Sequence, residues 1–126
     1  MPRRRGSESP RLDAERLLSK ATGLERIELY MQLDRPLTPP ELETARELVR
    51  RRGAREPLQY VLGEWGFRRL TLAVDRRALI PRSFIGDLLV DGALPIDHRK
   101  VRRVLDLCTG SGCLAILAAL AFPRAR

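Results

Sequence analysis

The stretch "VLDLCTGSGCLAILAAL", from Val104 to Leu120, places the acidic Asp106 just ahead of a run of small and polar residues: Cys108, Thr109, Gly110, Ser111 and Gly112. Val104, Leu105 and Leu107 read as a buried strand, and the apolar run Cys113–Phe122, the longest in the chain, reads as a core helix. A strand that turns through glycines into a helix offers bare backbone amides at the helix N-terminus, where a ligand can touch the main chain. Gly110, Gly112 and Ala115 are spaced as G-x-G-x-x-A, a loose form of the dinucleotide pattern. Three readings fit this turn: a dinucleotide site, an S-adenosyl-L-methionine site, or a tight strand-to-helix connection with no ligand. A carboxylate at Asp106 suits an ammonium and a sulfonium better than a pyrophosphate, which leans towards S-adenosyl-L-methionine. Asp106 can equally be a helix-capping carboxylate. Cys108, Thr109 and Ser111 are expected to contribute backbone amides, with replaceable side chains.

Other reactive side chains are sparse. Cys108 and Cys113 are the only cysteines, and their spacing matches no metal or redox motif, so no metal and a reducing, cytoplasmic setting are expected. His98 stands alone in the polar link "PIDHRK" without a partner for catalysis or metal binding.

The elements that would carry this turn follow from periodicity. After Pro10, Ala14, Leu17, Leu18 and Ala21 share one helix face, and Gly23 ends the pattern. A second helix is predicted with Leu24, Ile27, Tyr30 and Met31 on one face, broken at Pro36. "TPPE" at 38–41 has the form of a capping box, so a third helix is predicted to bury Leu42, Ala45, Leu48 and Val49, to leave Arg46 and Arg50–Arg52 mainly outside, and to stop at Gly53. Beyond Tyr60, Gly63 and Gly66 and the alternation of Leu70, Leu72 and Val74 with polar or small residues predict a hairpin, with Trp65 and Phe67 in its core. "FIGDLLVDGAL" is a short helix candidate after "IPRS".

Composition bounds the class. The apolar fraction is 44% and the charged fraction 32%, as in soluble globular proteins. No apolar run approaches the roughly 18 to 20 residues that span a bilayer, so no membrane partner is expected. The net charge of +8 is almost wholly arginine, with Lys20 and Lys100 the only lysines. That surplus favours approach to polyanions, but it is a matter of steering and solubility, and a solvated basic surface is the favoured reading over specific nucleic-acid recognition. The N-terminal "MPRRRGSESP" has no apolar core of a secretory signal and reads as a disordered basic tail, residues 1–10.

The segments "LDAERLLSKATGLERIELYMQLDRPLT", "EPLQYVLGEWGF", "ALIPRS" and "VLDLCTGSGCLAI" occur in an order that resembles the HemK-like N(5)-glutamine protein methyltransferases. The resemblance covers nearly everything after Pro10. It implies an α/β protein with a Rossmann-like S-adenosyl-L-methionine-dependent domain starting at 84–126, a helical substrate-recognition domain at 11–62 and a hairpin linker at 63–83. It implies cofactor contacts from the glycine turn and places Pro81, Arg82 and Ser83 at the mouth of the active site. Enzymes of the family that act on release factors usually carry "IPRPET" or "IPRPDT", whereas this chain has "IPRSFIGD" at 80–87, and cysteine where they usually have glycine in "DLCTGSG". Both departures look like the branch that methylates a ribosomal protein of the large subunit, with incidental contact to ribosomal RNA and a monomeric enzyme.

The family's Asn-Pro-Pro-Tyr motif, which orients the substrate amide, is absent from these 126 residues, as is the acidic residue expected about 20 residues beyond the turn to hold the ribose. The catalytic residues are therefore expected beyond Arg126. The chain looks C-terminally truncated and is expected to be inactive by itself, with Val104, Leu105 and Leu107 exposed. The rival readings are the release-factor branch, a non-catalytic fragment that binds protein or ribosome, and a dinucleotide oxidoreductase. The helical region and "IPRS" segment disfavour the last of these.

Overall fold

The computed structural model describes residues 9–126, and the reading of the first eight residues as a disordered tail lies outside the described residues. The chain divides into two compact units with the boundary between Leu62 and Gly63. Among the described residues it is mostly helical, with one two-stranded sheet.

The first unit is built from α1 (Pro10–Thr22), α2 (Arg26–Met31), α3 (Pro39–Gly53) and α4 (Leu58–Leu62). Ser9 and Pro10 belong to α1 rather than to a tail. The Ser9 hydroxyl accepts from the amide of Leu12 at 3.4 Å, and Pro10 occupies the first helical turn, where its missing N–H costs nothing. Gly23 closes α1 in the left-handed region, φ 72°, donating to the carbonyl of Ser19 at 2.8 Å. The capping box of α3 forms as the sequence predicts. The Thr38 amide donates to Glu41 Oε2 at 2.8 Å while the Thr38 side chain accepts from the N3 amide. Arg35 adds two bonds to the same carboxylate, at 2.9 and 3.1 Å.

The buried side chains of this unit are Leu17, Ala45, Leu48, Leu58 and Val61. Three expectations are corrected here. Ile27 and Met31 are 67% and 79% exposed, because Arg26 and Tyr30 both reach back to Glu15 on α1 and so fix the rotation of α2. The Tyr30 hydroxyl first, and then Arg26 and Arg11, hold the Glu15 carboxyl below its ordinary range. On α3, Leu42 and Val49 are exposed, while Arg51 and Arg52 turn inwards. Arg52 donates to Asp13 of α1 at 2.9 Å. Arg51 grips Glu56 and the carbonyls of Tyr60 and Val61, which α4 leaves without helical partners at its C-terminal end. Finally, Gly53 is the last residue of α3 rather than its stop, and the left-handed turn beyond it is made by Arg55, φ 65°.

The second unit contains β1 (Glu64–Phe67), β2 (Leu70–Ala73), α5 (Ile85–Val90), a 3-10 turn (His98–Lys100) and α6 (Cys113–Ala121). The strands pair antiparallel with Trp65 opposite Leu72 and Phe67 opposite Leu70. Phe67 joins Leu89 of α5, Cys113, Leu117 and Ala118 of α6, and Phe122 in one buried cluster, so the hairpin is anchored to α5 and α6. His98 packs edge-on against Phe122, centroids 5.0 Å apart.

Candidate functional site

Each segment of the predicted site lies in the second unit. Residues 101–106 do not form a regular strand, in contrast to the sequence reading. They run extended and meet the end of the chain: Arg126 donates to the Arg102 carbonyl and accepts from the Val104 amide, both at 3.1 Å. Bonds to residues two apart through one partner residue are the pattern of a parallel pair. With no further strand beside them, Val104, Leu105 and Leu107 are 40%, 79% and 75% exposed, as the lone strand was expected to leave them.

The turn itself is formed. Cys108, Gly110 and Gly112 all lie in the left-handed region, with φ 58°, 59° and 77°. Alternation of left-handed residues reverses the chain tightly and brings it into α6 at Cys113, with Gly112 as N-cap. A side chain at Gly110 would come no nearer than 4.0 Å to another atom, and one at Gly112 would meet nothing within 4 Å. The glycines are therefore required by backbone conformation and not by crowding, and the main chain of the turn is open to a ligand. Cys108 takes the same conformation without being glycine, at a cost of about 1–2 kcal/mol.

Asp106 does not cap α6. It is half-buried, and its Oδ2 accepts from the Thr109 hydroxyl at 2.8 Å. The Thr109 side chain therefore has a partner beyond the backbone amide expected of it, the carboxylate of Asp106. Ser111 is half-buried at the entry to α6, and no side-chain bond of it was foreseen or is found. Asp106 also lines a shallow cavity of about 160 Å³ with Val104, Ala115, Ala118 and, from the end of the chain, Arg126. Exposed main chain, conformationally required glycines and a positioned carboxylate fit a small ligand with a cationic end.

Pro81 is buried, Arg82 exposed and Ser83 half-buried, with the Ser83 hydroxyl accepting from the Ile85 amide at 3.2 Å. No hydrogen bond or ion pair among the described residues joins this segment to 106–112. Two residues beside it, read from the sequence only as part of "IPRSFIGD", make contacts that the sequence does not announce. Gly86 packs directly on the Phe67 ring, and Asp87 pairs with Arg68 at 2.5 Å. A glycine inside a helical pattern was the available signal for the first. Groups able to hold a metal ion are absent among the described residues, and no helix there is long and apolar enough to cross a membrane.

These features describe a helical unit followed by a unit whose glycine turn opens an apolar helix. Comparison with known proteins gives that layout a class. Residues 3–63 match the PrmC N-terminal domain. The chain is 43% identical over 122 residues to a release factor glutamine methyltransferase of Geobacter sulfurreducens, covering 97% of this chain and 42% of that protein. It is 49% identical over 96 residues to a ribosomal protein uL3 glutamine methyltransferase of Burkholderia pseudomallei, covering 74% of this chain and 31% of that protein. A uL3 enzyme of Bradyrhizobium diazoefficiens is 40% identical over 130 residues, 95% of this chain and 40% of its own. The proteins it resembles are methyltransferases, and the chain spans less than half of their length. Along nearly its whole length it is similar to glutamine methyltransferases of the HemK-like family.

Proposed function

We propose that residues 63–126 open the cofactor site of an S-adenosyl-L-methionine-dependent protein-glutamine methyltransferase, and that the helical unit ahead of them recognises its protein substrate. The observation that carries this reading is the glycine turn, bent through three left-handed residues with its main chain open and its carboxylate fixed by Thr109. The main chain of Gly110, Ser111 and Gly112 would lie against the ligand, and Asp106 would face its ammonium group. When bound, S-adenosyl-L-methionine supplies an electrophilic methyl group. A glutamine amide nitrogen is a weak nucleophile because its lone pair is delocalised into the carbonyl, so orientation must provide most of the acceleration. Pro81, Arg82 and Ser83 would line the side from which the glutamine enters.

The substrate we favour is a ribosomal protein of the large subunit, on the strength of Ser83 in place of proline and Cys108 in place of glycine. The higher identity to the Burkholderia uL3 enzyme supports that choice. The release-factor reading draws on a different observation, the similarity to the Geobacter enzyme along 97% of the chain. A competition assay decides between them. Residues 1–126 are joined to the remainder of the Burkholderia relative and given labelled S-adenosyl-L-methionine with equal amounts of uL3 and release factor. Label on uL3 is expected. Label on release factor alone would reverse the substrate, and S-adenosyl-L-methionine binding without label on either protein would overturn the class.

A further inference from the structure

Arg68 sits at the tip of the hairpin between β1 and β2, at φ 55°, where glycine, asparagine or aspartate is preferred. Its side chain does three things there. Its Nη2 donates to the Ser83 carbonyl at 3.3 Å, the same group pairs with Asp87 at 2.5 Å, and its guanidinium lies 5.4 Å from the centre of the Phe67 ring. The Ser83 carbonyl also accepts from the Gly86 amide at 3.2 Å, which is the first bond of the turn leading into α5. One guanidinium therefore reaches both ends of the 83–87 segment, while Phe67, its neighbour in sequence, is wedged against Gly86 between them. We infer that Arg68 is a positioning residue: it fixes the Pro81–Ser83 segment against the hairpin, acting through the Ser83 carbonyl and the Asp87 carboxylate. That this segment faces the glutamine substrate rests on the function proposed above; the clamp itself does not.

A residue retained only for hairpin stability would be better replaced by glycine, which relaxes a positive φ. This separates the two roles. The bond after Arg82 lies within the clamped segment and is a trypsin site, so its cleavage rate under native conditions reports local opening. The bond after Arg99, in the 3-10 turn, reports the same unit away from the clamp. In the 126-residue chain, Arg68→Gly is expected to melt at or above the parent temperature and yet to be cut after Arg82 about fivefold faster, with cleavage after Arg99 unchanged. Arg68→Lys, which keeps the charge opposite Asp87, is expected to recover at least half of that protection. Unchanged cleavage after Arg82 in Arg68→Gly would overturn the inference, and so would a rise matched after Arg99. Failure of the joined enzyme with Arg68 intact to label either protein in the assay above would remove the substrate role of the segment while leaving this result standing.

Discussion

Gly86 gives the sharpest test of how the second unit is packed. A methyl group added there would stand 2.7 Å from Phe67 Cζ, 3.1 Å from Cε1 and 3.3 Å from Arg68 Cγ. Carbon atoms not bonded to each other rest at about 3.5–4.0 Å, so the ring must retreat by about 1 Å or α5 must lift. The ring cannot retreat freely, since Phe67 is 4% exposed and packs against Leu89, Leu117 and Phe122. Overpacking of this kind costs about 1–3 kcal/mol, and the better helix propensity of alanine returns at most about 1 kcal/mol. Gly86→Ala should therefore destabilise the 63–126 unit by up to about 2 kcal/mol, a fall of as much as roughly 15 °C in melting temperature for a unit of this size. Trp65, the only tryptophan, lies half-buried in β1, so its fluorescence follows this unit and not the helical one. Gly66→Ala is the control, since a side chain there would meet nothing within 4 Å and should leave the transition within about 2 °C. A Gly86→Ala protein that melts at or above the parent temperature would refute the packing argument.

In the helical unit, Thr38→Ala should cost about 0.5–2 kcal/mol, read as a lower midpoint in the far-ultraviolet melt, because it removes the cap of α3. Arg35 first, and then the Thr38 amide, hold the Glu41 carboxyl down at about 2 against an ordinary 4.5, so its contribution is complete above pH 4.5 and is lost as the pH falls towards 2. Glu41→Gln should flatten that part of the acid-stability profile, and an unaltered profile would mean that the carboxylate contributes nothing. In the glycine turn, Cys108→Gly should raise stability by up to about 1 kcal/mol by relaxing a left-handed residue, and a loss would show that the thiol has a packing role. Thr109→Val should release Asp106, and it is expected to weaken S-adenosyl-L-methionine binding in the joined enzyme at least about fivefold by isothermal titration; equal affinity would detach that carboxylate from the ligand.

The capping box, the Gly23 stop and the apolar run of α6 were legible because each depends on residues within one or two turns of each other. What the periodicity misplaced was rotation. Ile27 and Met31 have the spacing of a buried face, but α2 has only six residues, and the polar contacts of Arg26 and Tyr30 with Glu15 outweigh so short an apolar stripe. Arg51 and Arg52 were read as solvated for the same reason. Their partners, Glu56 with the α4 carbonyls and Asp13, are either in a helix that five residues could not announce or 39 positions away in sequence. The candidate site divides in the same way. Its backbone was readable from the glycines, whereas the Thr109–Asp106 bond and the Arg68 clamp are side-chain choices that spacing does not reveal.

The turn also shows which part of the candidate site is locally encoded. Leu105 and Leu107 stand largely in solvent and a single residue, Arg126, pairs with the segment, yet the three left-handed residues and the Thr109–Asp106 bond are in place. Sheet packing therefore does not create the shape of the turn; glycine conformation and one side-chain hydrogen bond do. Packing has a different task. Apolar residues exposed this far are stable in a strand only when neighbours cover both faces, and until then the segment can fray and carry the carboxylate with it. A ligand that binds the turn must then also hold the segment in register, which lowers its apparent affinity by the fraction of time the segment is ordered. Shape and affinity are thus separable here: substitutions within 106–112 act on the first, and whatever covers Leu105 and Leu107 acts on the second.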